Sequence, residues 1–521
     1  VKKTNKSFTR LLSGSLAALT AAAVMPFMSA QAATEQQLVG YRGDLNADME
    51  VTVSDVVILS QHLSAVKPIT DDALTDYADL DQNGRLNAVD LTLLKRIVLG
   101  LSEAEGIYEE VWIDDPPVSE ELIDAPIKAL SPTLLSTGTN HLVMFVVDFP
   151  DCSFSRSYTA EQIKEISFGA ANPSSQYYPL ESVIGYYERS SYGALEMEAD
   201  VFLYTAKENV ANYQGSDYPD TDKLVEEIMT AFDDQIDFSK YDVNNDGTMD
   251  TILLSAADKA DSDIWWPIST GYYGRKKFDG VKAGNVIVGN TAPTNTAEYN
   301  STWIHELGHA MGLPDYYKYE NVQGYDYYGM NGDAGSEMMD DAYGDMCAFS
   351  KLMYGWYTPS QVQVYSGGTQ TYTLESSQVA AGCVVIPRSD LNGYLSEYMI
   401  LEYATNTGNN AYGVYHNRLF NGGGLRVIHC EATVVNGYWG PELKWNNYGQ
   451  NYDSSNTKQR VLRLANESEG GKFFTAGQTV DGNVSGFHWY DNSGYQTVDP
   501  GVKITVDSIS DGVMTLTISQ N

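Results

Sequence analysis

Thr302-Trp303-Ile304-His305-Glu306-Leu307-Gly308-His309-Ala310-Met311-Gly312-Leu313-Pro314-Asp315 is the stretch on which the reading of this chain turns. His305 and His309 stand four positions apart, so on a helix both imidazoles leave one face and can share a metal ion. Glu306 lies between them, where it can take a proton from a water held by that ion. Gly312 permits a sharp turn after the helix, and Asp315 then falls where a third ligand can reach back to the same point. The chain holds only 7 histidines in 521 residues, which makes a chance H-E-x-x-H improbable. The competing reading is an amphipathic helix with two core histidines.

Working outward, the length implies more than one domain, and 43% hydrophobic residues suffice for several cores. A net charge of −37 makes nucleic acid a poor partner. Residues 1–32 have the outline of a secretion signal. Lys2, Lys3, Lys6 and Arg10 precede an apolar, Ala-rich run from Leu11 to Met28, and Ala30-Gln31-Ala32 fits a small-residue cleavage site. A membrane anchor is the alternative reading; no other segment is long and apolar enough to span a bilayer. The protein is therefore expected outside the cell. Its four cysteines do not make a disulfide framework, although Cys383 and Cys430 could pair, with Cys152 and Cys347 as buried thiols.

Two acidic segments repeat each other near the N-terminus, beginning at Asp44 and, 35 residues later, at Asp79. Oxygen side chains recur at loop positions 1, 3, 5, 9 and 12: Asp44, Asn46, Asp48, Thr52 and Asp55, then Asp79, Asp81, Asn83, Asn87 and Asp90. That spacing suits a hard cation, and each loop runs into an apolar helix. The pair resembles a type I dockerin over about 41–101. The resemblance implies a small all-α unit, two Ca2+ ions and a cohesin module of a scaffoldin as partner, hence attachment to a cellulosome-like complex. In that family loop positions 10 and 11 help choose the cohesin; here they are Val53 and Ser54, and Ala88 and Val89. A third loop, with Asp242, Asn244, Asp246 and Asp250 around Gly247, precedes the strand-like Thr251-Ile252-Leu253-Leu254. It lacks a carboxylate at position 12 and reads as a single calcium site beside a sheet, with a metal-free Asx-rich turn as the alternative.

Residues 102–134, rich in Glu, Asp and Pro, read as an acidic linker, part of which could lie on the enzyme as a pro-segment. From 135 to 360 buried strands alternate with helices: Leu142 to Val147 and Ala194 to Leu203 as strands, Leu180 to Arg189 and Thr221 to Phe232 as helices. An α/β catalytic domain with the metal helix packed under a twisted sheet follows. From 361 to 521 short strands separated by Gly, Asn and Ser predict an all-β, sandwich-like domain. Tyr438, Trp439, Trp445, Tyr448 and Tyr452 cluster there, either packing locally or contacting glycan or substrate.

Tyr186-Tyr187-Glu188-Arg189-Ser190-Ser191-Tyr192-Gly193, the third acidic loop, Met338-Met339-Asp340, the run Ala348 to Trp356 and Gly424 to His429 together resemble immune inhibitor A-type metallopeptidases over roughly 135–521. The resemblance implies a secreted, metzincin-like endopeptidase with one catalytic Zn2+, His305 and His309 as ligands and Glu306 as general base. Asp315 stands at the third-ligand spacing, with Glu320 and Glu337 as alternatives. The methionine beneath the site would be Met339 or Met330, and Tyr316, Tyr317 and Tyr343 are possible oxyanion partners. Protein or peptide would be the substrate. The alternative is a dockerin-borne protein- or glycan-binding protein with an inactive metal site; a glycoside hydrolase is disfavoured, since no pair of carboxylates stands out as acid and nucleophile.

Overall fold

The computed structural model describes residues 34–46, 51–69, 72–102, 104–112, 132–216, 218–261, 263–317, 337–388, 393–411, 423–436, 441–445, 459–466 and 473–521. The expected signal segment, Asp48, Glu320, Met330, Tyr438, Trp439, Tyr448, Tyr452 and most of the acidic linker lie outside them. The chain divides into two units, 1–113 and 114–521.

In the first unit, helices Val53–Leu63 and Ala88–Val98 follow the two acidic loops, with a short helix, Asp72–Ala78, between them. Both long helices open with a capping box. Thr52 Oγ1 accepts from Ser54 N at 3.2 Å, and Asp55 Oδ2 accepts in return from Thr52 N at 2.7 Å. Asn87 and Asp90 repeat this at 2.8 Å in both directions. The second oxygen of each buried aspartate crosses its loop, Asp55 Oδ1 to Leu45 N at 2.8 Å and Asp90 Oδ1 to Leu80 N at 3.0 Å. One carboxylate thus closes the loop and starts the helix. The core beneath is small: Leu45, Leu59, Ala78 and Leu94.

Strands Thr34–Tyr41 and Gly106–Trp112 pair antiparallel. Strand Gly106–Trp112 falls within the stretch expected as a linker from residue 102.

The second unit is built on a five-stranded sheet in the order Leu195–Thr205, Gly138–Asp148, Thr251–Ala256, Asn285–Gly289, Ile268–Gly271. The first four are parallel and the last runs antiparallel at the edge. Strand Gly138–Asp148 is buried on both faces, as its continuous apolar run requires. On one face Phe145 meets Phe232 of helix Thr221–Phe232, at 5.5 Å between ring centroids. On the other, Met144 lies under Tyr299 of the helix Thr296–Ala310, which carries the two histidines. Helices Ala160–Phe168 and Val183–Ser190 pack beside that helix on the same face.

Two larger sheets follow, besides two short strand pairs. A five-stranded sheet runs Leu462–Leu464, Gly424–Glu431, Glu397–Ala404, Cys383–Pro387, Val362–Val364; a four-stranded one runs Thr479–Val480, Val502–Ser510, Val513–Gln520, Thr369–Glu375. Their facing sides share a core of Val384, Ile386, Met399, Leu401, Ile504, Leu516 and neighbours, which is a sandwich. The alternate residues Cys383, Val385, Tyr398, Ile400 and Cys430 turn the other way, into the core that also holds Leu142 and Ile304. The boundary expected at 360/361 is therefore no break in packing: the β-rich part shares the core of the α/β part. The four cysteines form no disulfide with one another, and all are buried. Cys383 and Cys430 sit on strands separated by Glu397–Ala404, about 9.5 Å from one strand axis to the other, beyond the Cα reach of a disulfide. Among the described residues, no helix is long and apolar enough to cross a membrane.

Candidate metal centre

The helix Thr296–Ala310 ends where Gly312 takes a φ of 102°, a value that costs glycine little. The reversal lets Gly312 N donate to His309 O at 2.8 Å and brings residues 313–315 back alongside the helix. His309 Nδ1 lies 2.8 Å from Leu313 O, and His305 Nδ1 lies 2.8 Å from Met338 O, 33 residues away. A carbonyl only accepts, so each Nδ1 carries its proton, and each Nε2 is left to face the other way. Both Nε2 atoms converge on Asp315 Oδ1, at 2.8 Å from His305 and 3.2 Å from His309. These three ligand atoms lie within 4.8 Å of one another, and the three residues are buried or nearly so.

The electrostatics follow from that convergence. Burial works to lower both imidazoles, but the Asp315 carboxylate overrides it, raising His305 and lifting His309 to about 9. Asp315 is held well below the usual carboxylate range, since the two histidines outweigh its own burial. Protons here balance a negative charge in a dry pocket, a task that a divalent cation performs equally well. Glu306 is buried beside them. Burial pushes its carboxyl upward, the histidines pull it down, and the Ser269 backbone on the edge strand Ile268–Gly271 hydrogen-bonds to it.

The helix is fixed from several sides. Tyr187 Oη donates to Ile304 O at 2.6 Å, and Tyr354 Oη donates to Gly308 O at 2.8 Å. A Cβ at Gly308 would sit 2.4 Å from Met339 Sδ, so glycine is needed for that methionine to lie against the helix. Of the other residues expected here, Tyr317 stacks on His305 at 6.2 Å between centroids, and Tyr316 Oη reaches Ser350 Oγ at 2.9 Å. Tyr343 is partly buried against the same core. Glu337 is buried and is not part of that convergence; its carboxylate accepts hydrogen bonds from Met339 N, Cys347 N and Ser350 Oγ.

The Tyr186-to-Gly193 segment supports the site rather than lining it. Ser190 Oγ donates to Asp345 Oδ1 at 2.6 Å, and Asp345 pairs with Lys351 at 2.7 Å, both buried. Asn409 Nδ2 and Gln378 Nε2, from the β-rich part, donate to the same carboxylate at 2.9 and 2.8 Å. Sequence reading missed this hub because its members are scattered over more than two hundred positions and none has metal-ligand spacing. It missed the edge strand too; Ile268-Ser269-Thr270-Gly271 is short and half-buried, with no sustained alternation.

Among the acidic loops, Asp79, Asp81 and Asp90 bring their oxygens within 4.8 Å of one another. Gly84, at φ 76°, allows its own N–H and that of Asn83 to bind the Asp79 carboxylate, at 2.6 and 3.1 Å. In the first loop Asp44 and Asp55 are buried. Val53, Ser54, Ala88 and Val89 are all exposed. In the third loop Asp242 accepts from Asp246 N and Gly247 N at 3.0 and 2.9 Å. Its carboxylates are not gathered as closely as those of the second loop. Asp250 is buried, its Oδ1 has no hydrogen-bond partner, and burial pushes its carboxyl up to about 6.

Two known families match parts of the chain. Residues 42–99 match the dockerin type I domain, and residues 190–343 match Peptidase M66. The chain carries a dockerin and a peptidase domain. The peptidase match contains the whole stretch from His305 to Asp315. It names Peptidase M66 where the sequence resemblance named immune inhibitor A-type enzymes, and the two agree on a dockerin-bearing peptidase. No curated protein matches the chain. Among solved structures, wild-type OgpA from Akkermansia muciniphila is similar at 15% identity over 56% of this chain and 77% of that one. The TM-score is 0.23.

Proposed function

We propose that the chain is a secreted zinc-dependent endopeptidase, docked to a scaffoldin cohesin through its dockerin. The observation that carries this reading is the convergence of His305 Nε2, His309 Nε2 and Asp315 Oδ1, backed by carbonyls on both Nδ1 atoms and flanked by Glu306. Two nitrogens and one carboxylate oxygen suit zinc, which leaves a fourth position open in catalytic sites. When bound there, zinc would supply Lewis acidity and an acidified water. His305, His309 and Asp315 would hold it, and Met339 would lie beneath as the floor of a metzincin-like site. Glu306, its carboxyl raised by burial, would accept the proton of the attacking water and pass it to the leaving amine nitrogen. The edge strand Ile268–Gly271 borders Glu306, and an extended peptide adding to it would bring a scissile carbonyl to the site.

Calcium has three proposed positions. Two are the dockerin loops, with ligands Asp44, Asn46, Asp48, Thr52 and Asp55, and Asp79, Asp81, Asn83, Asn87 and Asp90. The third is the loop of Asp242, Asn244, Asp246 and Asp250, supported by the unpartnered Asp250 oxygen. Val53, Ser54, Ala88 and Val89 are the proposed cohesin contacts, in keeping with their exposure.

The test is cleavage of casein by metal-quantified wild type and Glu306→Gln, with products mapped by mass spectrometry. The reading expects discrete cleavage by wild type and, in the variant, retained zinc with turnover reduced about 10²–10⁴-fold. Equal cleavage by both would remove Glu306 from the mechanism. Zinc-loaded wild type without cleavage would favour the binding-protein alternative.

A further inference from the structure

Glu337 is fully buried, and its carboxylate is not one of the three groups that converge at His305, His309 and Asp315. Its oxygens are held by three donors from three points of the chain. Oε2 accepts from Met339 N; Oε1 accepts from Cys347 N at 3.2 Å and from Ser350 Oγ at 2.7 Å. Because the Ser350 hydroxyl spends its proton on Glu337, the Tyr316 hydroxyl must be the donor in the 2.9 Å contact to Ser350 Oγ. Tyr316 adjoins the ligand Asp315, and Tyr316 N also donates to Met339 O at 2.9 Å. Met338, between Glu337 and Met339, presents the carbonyl that holds His305 Nδ1. One carboxylate thus fixes the turn that orients His305 and, through Ser350 and Tyr316, the segment that delivers Asp315.

We infer that Glu337 is a positioning residue for the metal centre, setting the angle of His305 and the approach of Asp315 without itself binding the ion. A neutral side chain serves poorly in that place. Three donors are aimed at it, and a group that accepts through both oxygens satisfies all three. An amide puts N–H against N–H at one of these contacts, and the turn carrying Met338 O must move. The effect should resemble the loss of other outer partners of metal-bound histidine, about 10–100-fold in metal affinity.

The inference rests on the zinc reading, and its test separates the two. Zinc affinity is measured by chelator competition on the full-length chain, alongside the visible absorption spectrum of the cobalt-substituted protein. Wild type, Glu337→Gln, Ser350→Ala and Tyr316→Phe are compared. Glu337→Gln is expected to bind zinc about 10–100-fold more weakly and to shift the cobalt bands. Ser350→Ala and Tyr316→Phe should each weaken binding several-fold with a smaller shift in the same direction. If Glu337→Gln does not fold, these two variants decide the matter. Affinity within twofold of wild type and an unchanged spectrum in every folded variant overturns the role of Glu337. Absence of stoichiometric zinc from wild type overturns the metal site itself.

Discussion

The dockerin and the peptidase unit both gather acidic and metal-suited side chains, but by opposite means. In the dockerin almost everything that shapes a loop lies within it: Asp55 and Asp90 close loops of which they are the last members and cap the helices that follow. Among the described residues the hydrophobic core beneath has four buried apolar side chains, Leu45, Leu59, Ala78 and Leu94. In the peptidase unit the proposed ligands are equally local, eleven residues from His305 to Asp315, but their aim is set from afar. Met338, Glu337, Ser350, Tyr187 and Tyr354 supply the backing. The comparison teaches that the small unit should depend on its ions for its fold, whereas the large one should depend on its fold for its ion.

Chelation provides the broadest way to break this contrast. Removing calcium should unfold the dockerin while the peptidase unit stays folded, observed as loss of helical circular dichroism together with proteolysis confined to residues before about 113. Simultaneous unfolding of both units would contradict it. Next in size is the reverse experiment. Removing zinc, or replacing Glu306 with Gln, should abolish most turnover while the thermal transition of the large unit moves little, as calorimetry on zinc-free and zinc-loaded protein would reveal.

A third experiment sharpens the claim that distant residues hold the site. Lys351 and Asp345 are both buried and paired at 2.7 Å, at the junction of the α/β and β-rich parts. Lys351→Ala leaves an unpaired buried carboxylate and should cost about 3–5 kcal/mol in the large unit. Dockerin stability should not change; denaturant titration with a probe in each unit distinguishes the outcomes.

The smallest effect concerns the third loop, which has dockerin-like chemistry inside the peptidase unit. Burial raises Asp250 to about 6, so without an ion the folded chain binds a proton there that the unfolded chain releases near pH 4. The stability from this group is present below about pH 4 and is lost as pH rises through about 6. Calcium should cancel the loss, so the calcium-induced rise in Tm should be larger at pH 7 than at pH 5. Asp250→Asn should remove that pH dependence; a rise equal at both pH values in wild type would speak against a calcium site here.

The legibility of the chain follows the same divide. The repeat at Asp44 and Asp79, the helices after it and the convergence of His305, His309 and Asp315 follow from local patterns, and they were readable. Helix Thr221–Phe232 and strand Gly138–Asp148 were readable because a sustained period or a long apolar run marks them. The support of the metal centre was not. Glu337 drew notice as an alternative ligand, since sequence reveals its charge but not the three donors that engage it. Cys383 and Cys430 looked pairable until strand Glu397–Ala404 came between them. The boundary near 360 looked sharp because composition changes there, yet alternate residues of strands Cys383–Pro387 and Glu397–Ala404 serve two cores at once.

The central claim is that one zinc ion is held by His305, His309 and Asp315. Anomalous diffraction recorded on either side of the zinc edge, from crystals of the full chain grown with zinc, tests it most directly. The account predicts a single strong peak at the metal helix, about 2.0–2.2 Å from both Nε2 atoms and from a carboxylate oxygen of Asp315. A peak ligated by Glu337 in place of Asp315, or zinc bound elsewhere with these three side chains still hydrogen-bonded to one another, would contradict it.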